Sequence, residues 1–225
     1  MDLLLLHGAI GSSAQFTSLL QALSGKYKLH ILDFTGHGTS VLYNGEFSIQ
    51  LFTNDVAAYM DANNLSKVVI FGYSMGGFVA LNFALTYPER VIKIITLATK
   101  FRWDEETAAK EVKMLDPEKI ILKLPAFAES LRIRHVYNTW QQVLYKTGKM
   151  MIELGKNNPL ANQYRKMINV PVMLLLGDRD TMVTLDETVE MFTLLPNARL
   201  GVLPGTAHPI EKIDLQLLCY LIEIF

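Results

Sequence analysis

Cysteine is almost missing from this chain. Cys219 is the only one, so no disulfide can form within it, and a reducing, cytoplasmic setting is expected. In its apolar surroundings it reads as a small buried hydrophobe on the last helix. Neither sign of charge is in excess: 21 Lys and Arg face 22 Asp and Glu, a formal net of −1. Bulk attraction to nucleic acid or to an anionic membrane is therefore not expected. No apolar run approaches the ~20 residues that cross a bilayer. The start, Met1-Asp2 followed by Leu3–Leu6, lacks the basic residues and longer apolar region of a signal peptide. Histidine and cysteine nowhere stand at metal-ligand spacing, so His37 with Asp33 makes no metal site. What is present is apolar mass. Half of the 225 residues are hydrophobic, enough for one large domain with a full core rather than a disordered chain.

Short apolar runs alternate with longer helix-compatible segments. Strands are predicted at Leu3–Leu6, Lys28–Leu32, Lys67–Phe71, Val91–Leu97, Val170–Leu176 and Arg199–Val202. They are nearly continuous in apolar character, as strands of a parallel sheet buried on both faces should be. Helices are predicted at Ser13–Leu23, Ile49–Asn63, Gly77–Tyr87, Asp186–Leu194 and Ile210–Ile224. The alternation specifies an α/β fold with a doubly wound, mainly parallel sheet. One interval breaks it. Residues 101–169 read as helices only, at Glu105–Leu115, Pro117–Leu122, Pro125–Val136, Thr139–Leu154 and Leu160–Met167. The expected organisation is a core of residues 1–100 and 170–225 with a helical cap of residues 101–169 over the sheet's carboxyl edge. Residues 101–170 hold 12 Lys and Arg against 8 Asp and Glu, a net of +4, whereas the remainder carries −5.

The chemistry concentrates where a strand stops dead. Gly72-Tyr73-Ser74-Met75-Gly76 has the G-x-S-x-G pattern between a β-rich run and a helix-like one. The pattern alone arises by chance in about one chain of this length in thirteen; its strand–turn–helix context gives it meaning. Ser74 is the candidate nucleophile. His208, in the loop Leu203-Pro204-Gly205-Thr206-Ala207-His208-Pro209 after the last strand, is the candidate base, because parallel sheets place chemistry at the carboxyl ends of their strands. Asp180, in Gly177-Asp178-Arg179-Asp180, is the candidate orienter of that base. Asp178 competes for the role, but its plainer reading is a turn residue paired with Arg179. Oxyanion donors are expected from the backbone amide of Met75 and from Ala9 in the loop after the first strand, with Ile10 as the alternative to Ala9. His7 reads as a residue that braces this loop rather than a catalyst. In the loop Asp33–Ser40, Asp33 or Ser40 can fix the backbone.

Together these residues resemble the α/β-hydrolase superfamily, in its small esterase and haloperoxidase-like branch. The motifs are Leu6-His7-Gly8 with Gly11, Asp33–Ser40, Gly72–Gly76, Gly177 with Asp180, and Gly205 with His208. The order Ser, Asp, His is that of the family. The resemblance covers nearly the whole chain and implies a cofactor-free, metal-free serine hydrolase with a cap inserted after Val91–Leu97. One departure is visible: the oxyanion-loop strand begins within the first residues, so the two strands that usually precede it have no room. The sheet is expected to have about six strands, all parallel. Lys28–Leu32 is then an edge strand, which raises edge protection or a homodimer as a question.

The cap is expected to set specificity. Trp103, Arg132, Arg134, Tyr137 and Trp140 are its substrate-binding candidates, with Arg102 and His135 beside them. Solvated charge and aromatic packing explain most of these better than contact with substrate does. Met75, Phe101, Trp103, Phe127, Met150 and Met151 are candidates for an apolar pocket, and core packing explains them equally well. The expected activity is hydrolysis of a small-molecule ester or thioester through an acyl-enzyme on Ser74. Relatives in the superfamily also use such a triad as carbon–carbon lyases or hydrolases on anionic substrates, one of them in menaquinone synthesis. A catalytically silent binding module would have no need of all four parts. Haloalkane dehalogenation is disfavoured because Ser74 stands where an aspartate would be needed.

Overall fold

The computed structural model describes residues 1–41, 43–161 and 165–225. Six strands form one sheet: β1 (Asp2–Leu6), β2 (Lys28–Ile31), β3 (Val68–Tyr73), β4 (Val91–Leu97), β5 (Val172–Gly177) and β6 (Ala198–Leu203). Their order is β2-β1-β3-β4-β5-β6, and every pairing is parallel. β2 is one edge and β6 the other. The order reverses around β1 and β3, the place where a doubly wound sheet opens a crevice beyond its carboxyl ends.

Alternate residues of the same strands feed two cores. Leu4, Leu6, Val68 and Ile70 pack on one face against α2 (Ile49–Ala62) and α3 (Met75–Thr86). On that face they are joined by Met191 and Leu195, on and just beyond α8 (Leu185–Leu194). Leu3, Leu5, Val69 and Phe71 pack on the other face against α1 (Thr17–Leu23) and α9 (Leu215–Ile224), where Cys219 is buried. Both faces are covered, which is why these strands carry no polar alternation. α3 is apolar around almost its whole circumference and buried accordingly. Ser13–Phe16 and Ile210–Lys212 are short 3-10 turns leading into α1 and α9 rather than parts of one continuous helix each.

Between β4 and β5 the chain runs through α4 (Glu105–Val112), α5 (Pro117–Lys123), α6 (Pro125–Arg134) and α7 (Trp140–Lys156). No strand occurs there among the described residues. The predicted helix Leu160–Met167 lies partly outside the described residues. Pro125 at the start of α6 and the N-caps Asp104, Asp116 and Thr139 set the helix boundaries. Ile120, Ala128, Leu131, Trp140 and Leu144 form a small core of their own, and α7 also turns Val143, Met150 and Leu154 into the main core.

Candidate active site

The turn from β3 into α3 puts Ser74 at φ 52 and ψ −116, a backbone conformation that a residue with a side chain adopts at a cost of about 1–3 kcal/mol. Neighbouring contacts hold it there. The Ser74 amide donates to Leu97 O at 2.8 Å, and its carbonyl accepts from the Gly77 amide at 3.0 Å and from Thr99 Oγ1 at 3.0 Å. The turn is possible only because Gly76 lacks a side chain: a Cβ there would stand 2.1 Å from Leu6 O.

The loops after β5 and β6 meet beside this turn. His208 Nδ1 donates to Asp180 Oδ2 at 2.8 Å, and the Asp180 side chain is fully buried. The other carboxylate oxygen accepts from the Met182 and Val183 amides at 2.8 and 2.9 Å. Burial raises the Asp180 pKa, but the hydrogen bond from His208 and the two amides outweigh it and hold the carboxyl below its usual range. Asp178 instead lies 3.8 Å from Arg179 Nε, with both side chains exposed. The Arg179 amide donates to Thr206 O, and Gly177 lets the two loops touch, since a Cβ there would meet Thr206 O at 2.1 Å. Tyr73, adjacent to Ser74, donates its hydroxyl to the His208 carbonyl at 3.2 Å, and the two rings stand 5.7 Å apart.

Ser74 lines a small cavity of about 50 Å³ with Ala9, Met75, Phe78, Trp103, Met150 and Met151. No protein acceptor is bonded to the Ala9 or Met75 amide among the described residues. Lys100 lines the same cavity, 3.5 Å from Glu111 and 3.7 Å from Glu187. A wider cleft of about 670 Å³ between Leu115 and Gly148 includes none of Ser74, Asp180 and His208.

The cap candidates part company. Trp103 faces the cavity, with its Nε1 donating to Lys100 O at 3.2 Å. Arg132 pairs with Glu129 on the surface, Tyr137 is exposed, and Trp140 is packed in the small core of the inserted helices. Arg134 and His135 turn toward the loop after β1: Arg134 Nη1 and His135 Nε2 donate to Ile10 O at 3.0 and 3.2 Å. Of the apolar candidates, Met75, Met150 and Met151 line the cavity, Phe101 is buried in the main core and Phe127 is exposed. His7 braces the first loop from within, its Nδ1 donating to Gly8 O and its Nε2 accepting from the Phe34 amide. Asp33 accepts from the Ser13 and Thr39 amides and so ties the first loop to the second. Sequence reasoning passed over Tyr73 and Lys100. A tyrosine inside an elbow and a lysine just past a strand carry no pattern of their own; only the folded geometry gives them partners.

The sequence model described as alpha/beta hydrolase fold matches residues 3–129. A protein of Bacillus subtilis (strain 168), provisionally assigned as 2-succinyl-6-hydroxy-2,4-cyclohexadiene-1-carboxylate synthase, is 30% identical over 92% of this chain and 83% of its own length. The pimeloyl-[acyl-carrier protein] methyl ester esterase of Wigglesworthia glossinidia brevipalpis is 23% identical over 100% of this chain and 93% of its own. Among solved structures, a thermophilic esterase from Thermogutta terrifontis, with malate bound, superposes with a TM-score of 0.82. It is 20% identical and covers 100% of this chain and 88% of that one.

Proposed function

The chain belongs to the α/β-hydrolase fold family and is an enzyme of it, and from that premise we propose that it cleaves a small carboxylic ester or thioester through an acyl-enzyme on Ser74. The observation that carries this reading is the 2.8 Å contact of His208 Nδ1 with Asp180, beside a serine fixed at φ 52. Ser74 Oγ attacks the carbonyl carbon while His208 Nε2 takes its proton. Asp180 on Nδ1 fixes the tautomer and stabilises the imidazolium. The carbonyl electrons move to the oxygen, which lies against the Met75 and Ala9 amides. Collapse breaks the bond to the alcohol or thiol, which leaves with the proton from His208. Water then attacks the acyl group, gives a proton to His208 and releases the acid, and Ser74 recovers its proton.

Residues 101–169 act as the cap in this reading, with Trp103, Met150 and Met151 against the acyl group. Pimeloyl-[acyl-carrier protein] methyl ester esterases among the relatives support ester chemistry. A second reading, a carbon–carbon lyase on an anionic substrate, is favoured by two observations: the Bacillus subtilis relative and the presence of Lys100 in the cavity wall. Glu111 and Glu187 already face that lysine, which weakens it as an anion receptor. A panel of p-nitrophenyl esters separates the two. Ester turnover that falls about 10⁴-fold or more in Ser74→Ala supports the first; no turnover of any ester sets it aside for the second.

A further inference from the structure

Ile10 sits at φ 53, in the left-handed region that a β-branched side chain rarely enters. It lies in the loop that offers Ala9 to the Ser74 cavity, at the third position of a turn closed by the Gly11 amide on Gly8 O at 3.1 Å. Such a turn calls for a positive φ at that position, which glycine meets at far lower cost than isoleucine. The inserted helices add a hold from outside the loop. Arg134 Nη1 and His135 Nε2, at the end of α6, both donate to Ile10 O, at 3.0 and 3.2 Å. The Ile10 side chain packs against both the main core and the insertion's own core of Leu131, Trp140 and their neighbours.

The clamp is itself anchored. His135 Nδ1 accepts from the Gly38 amide at 3.1 Å, and the Val136 amide donates to Gly38 O at 3.0 Å. Gly38 belongs to the loop that Asp33 ties to Ser13. One imidazole, neutral with its proton on Nε2, thus joins the end of α6 to both loops beyond the sheet. Were Ile10 to relax to negative φ, the turn closed by the Gly11 amide on Gly8 O would open, and the Ala9 amide within it would shift relative to Ser74.

We propose that Arg134 and His135 are positioning residues that hold the oxyanion loop at Ile10, so that the donor geometry facing Ser74 exists only when the end of α6 is seated on the core. The catalytic consequence rests on the ester-hydrolase reading above; the clamp does not. Arg134 accordingly serves the loop rather than the substrate, and the insertion completes the site as well as covering it.

The test pairs two readouts on the full chain. In Arg134→Met/His135→Ala, hydrogen–deuterium exchange should speed up in the segment 7–15 and stay unchanged in β3 and β4. With p-nitrophenyl acetate, kcat should fall on the order of 10²-fold at unchanged KM, the size of a lost oxyanion donor. His135→Gln keeps a donor for Ile10 and an acceptor for Gly38, so it should stay within about threefold of the native protein. A folded double variant with native exchange in segment 7–15 overturns the clamp. Faster exchange there with native kcat overturns its catalytic role, and a rise in KM alone returns Arg134 to substrate contact. Failure of the hydrolase reading is seen separately, as no reaction of native Ser74 with a fluorophosphonate, and loop exchange still decides the clamp.

Discussion

The Tyr73 hydroxyl donates to the His208 carbonyl at 3.2 Å, tying the residue before Ser74 to the loop that carries His208. Burial pushes the Tyr73 pKa far above its usual value, so the hydroxyl remains a donor through the alkaline range. Tyr73→Phe removes this tether and leaves a carbonyl short of a partner, a loss of about 1 kcal/mol. The thermal midpoint should drop by about 2–4 °C, and kcat/KM by up to about tenfold as the His208 loop loosens. Native kcat/KM in the variant would mean that the loop is held without Tyr73.

Asp180 and Asp178 differ in surroundings, and their variants should differ in effect. Asp180→Asn puts an amide where the His208 Nδ1–H needs an acceptor and should cost about 10⁴ in kcat. Asp178→Asn touches only an exposed contact with Arg179 and should change kcat less than threefold. The reverse order of damage would reassign the orienter.

The cavity at Ser74 holds about 50 Å³, room for an acyl group of two or three carbons. Ile49, Met150 and Leu154 line both it and a neighbouring cleft of about 380 Å³. Met150 is the most adaptable of the three. Short-chain esters should be preferred by the native protein, and Met150→Ala should move the optimum to longer chains, whereas Met150→Trp should restrict turnover to acetate. An unchanged chain-length profile in both variants would place the acyl group elsewhere.

The pH dependence of stability follows from three buried histidines. Burial lowers His7 and His135 to about 4 and His37 well below its usual 6.5. The folded protein therefore binds fewer protons than the unfolded chain between pH 6.5 and 4. Their contribution is complete above pH 6.5 and is lost as pH falls toward 4, on the order of 3 kcal/mol for His7 alone. Asp180 adds a further loss at lower pH, below its ordinary carboxylate value. Urea midpoints measured from pH 7.5 to 4 should decline steadily; a flat profile would mean that these imidazoles are not neutral in the native state.

Much of this architecture is legible in the residues themselves. β1, β3, β4 and β5 are apolar on both faces because both are covered, and the expected parallel sheet of about six strands is found with β2 at an edge. Helix ends followed Ser48, Asp104 and Asp116, whose side chains accept from the first turn. Apolar spacing does not separate the 3-10 turns Ser13–Phe16 and Ile210–Lys212 from the α-helices that follow them. Ser74, Asp180 and His208 stood out through glycine turns at strand ends. The insertion was far less readable. Arg132 and Arg134 are two positions apart on one helix, yet one pairs with Glu129 in solvent and the other reaches Ile10. Side-chain direction across a helix decided that difference, and the residue types did not reveal it.

The most direct measurement is mass spectrometry of the native protein after reaction with a fluorophosphonate. The account predicts one adduct, on Ser74, formed quickly at neutral pH and strongly slowed in His208→Ala. No adduct, or an adduct on another serine at the same rate in both proteins, would contradict it.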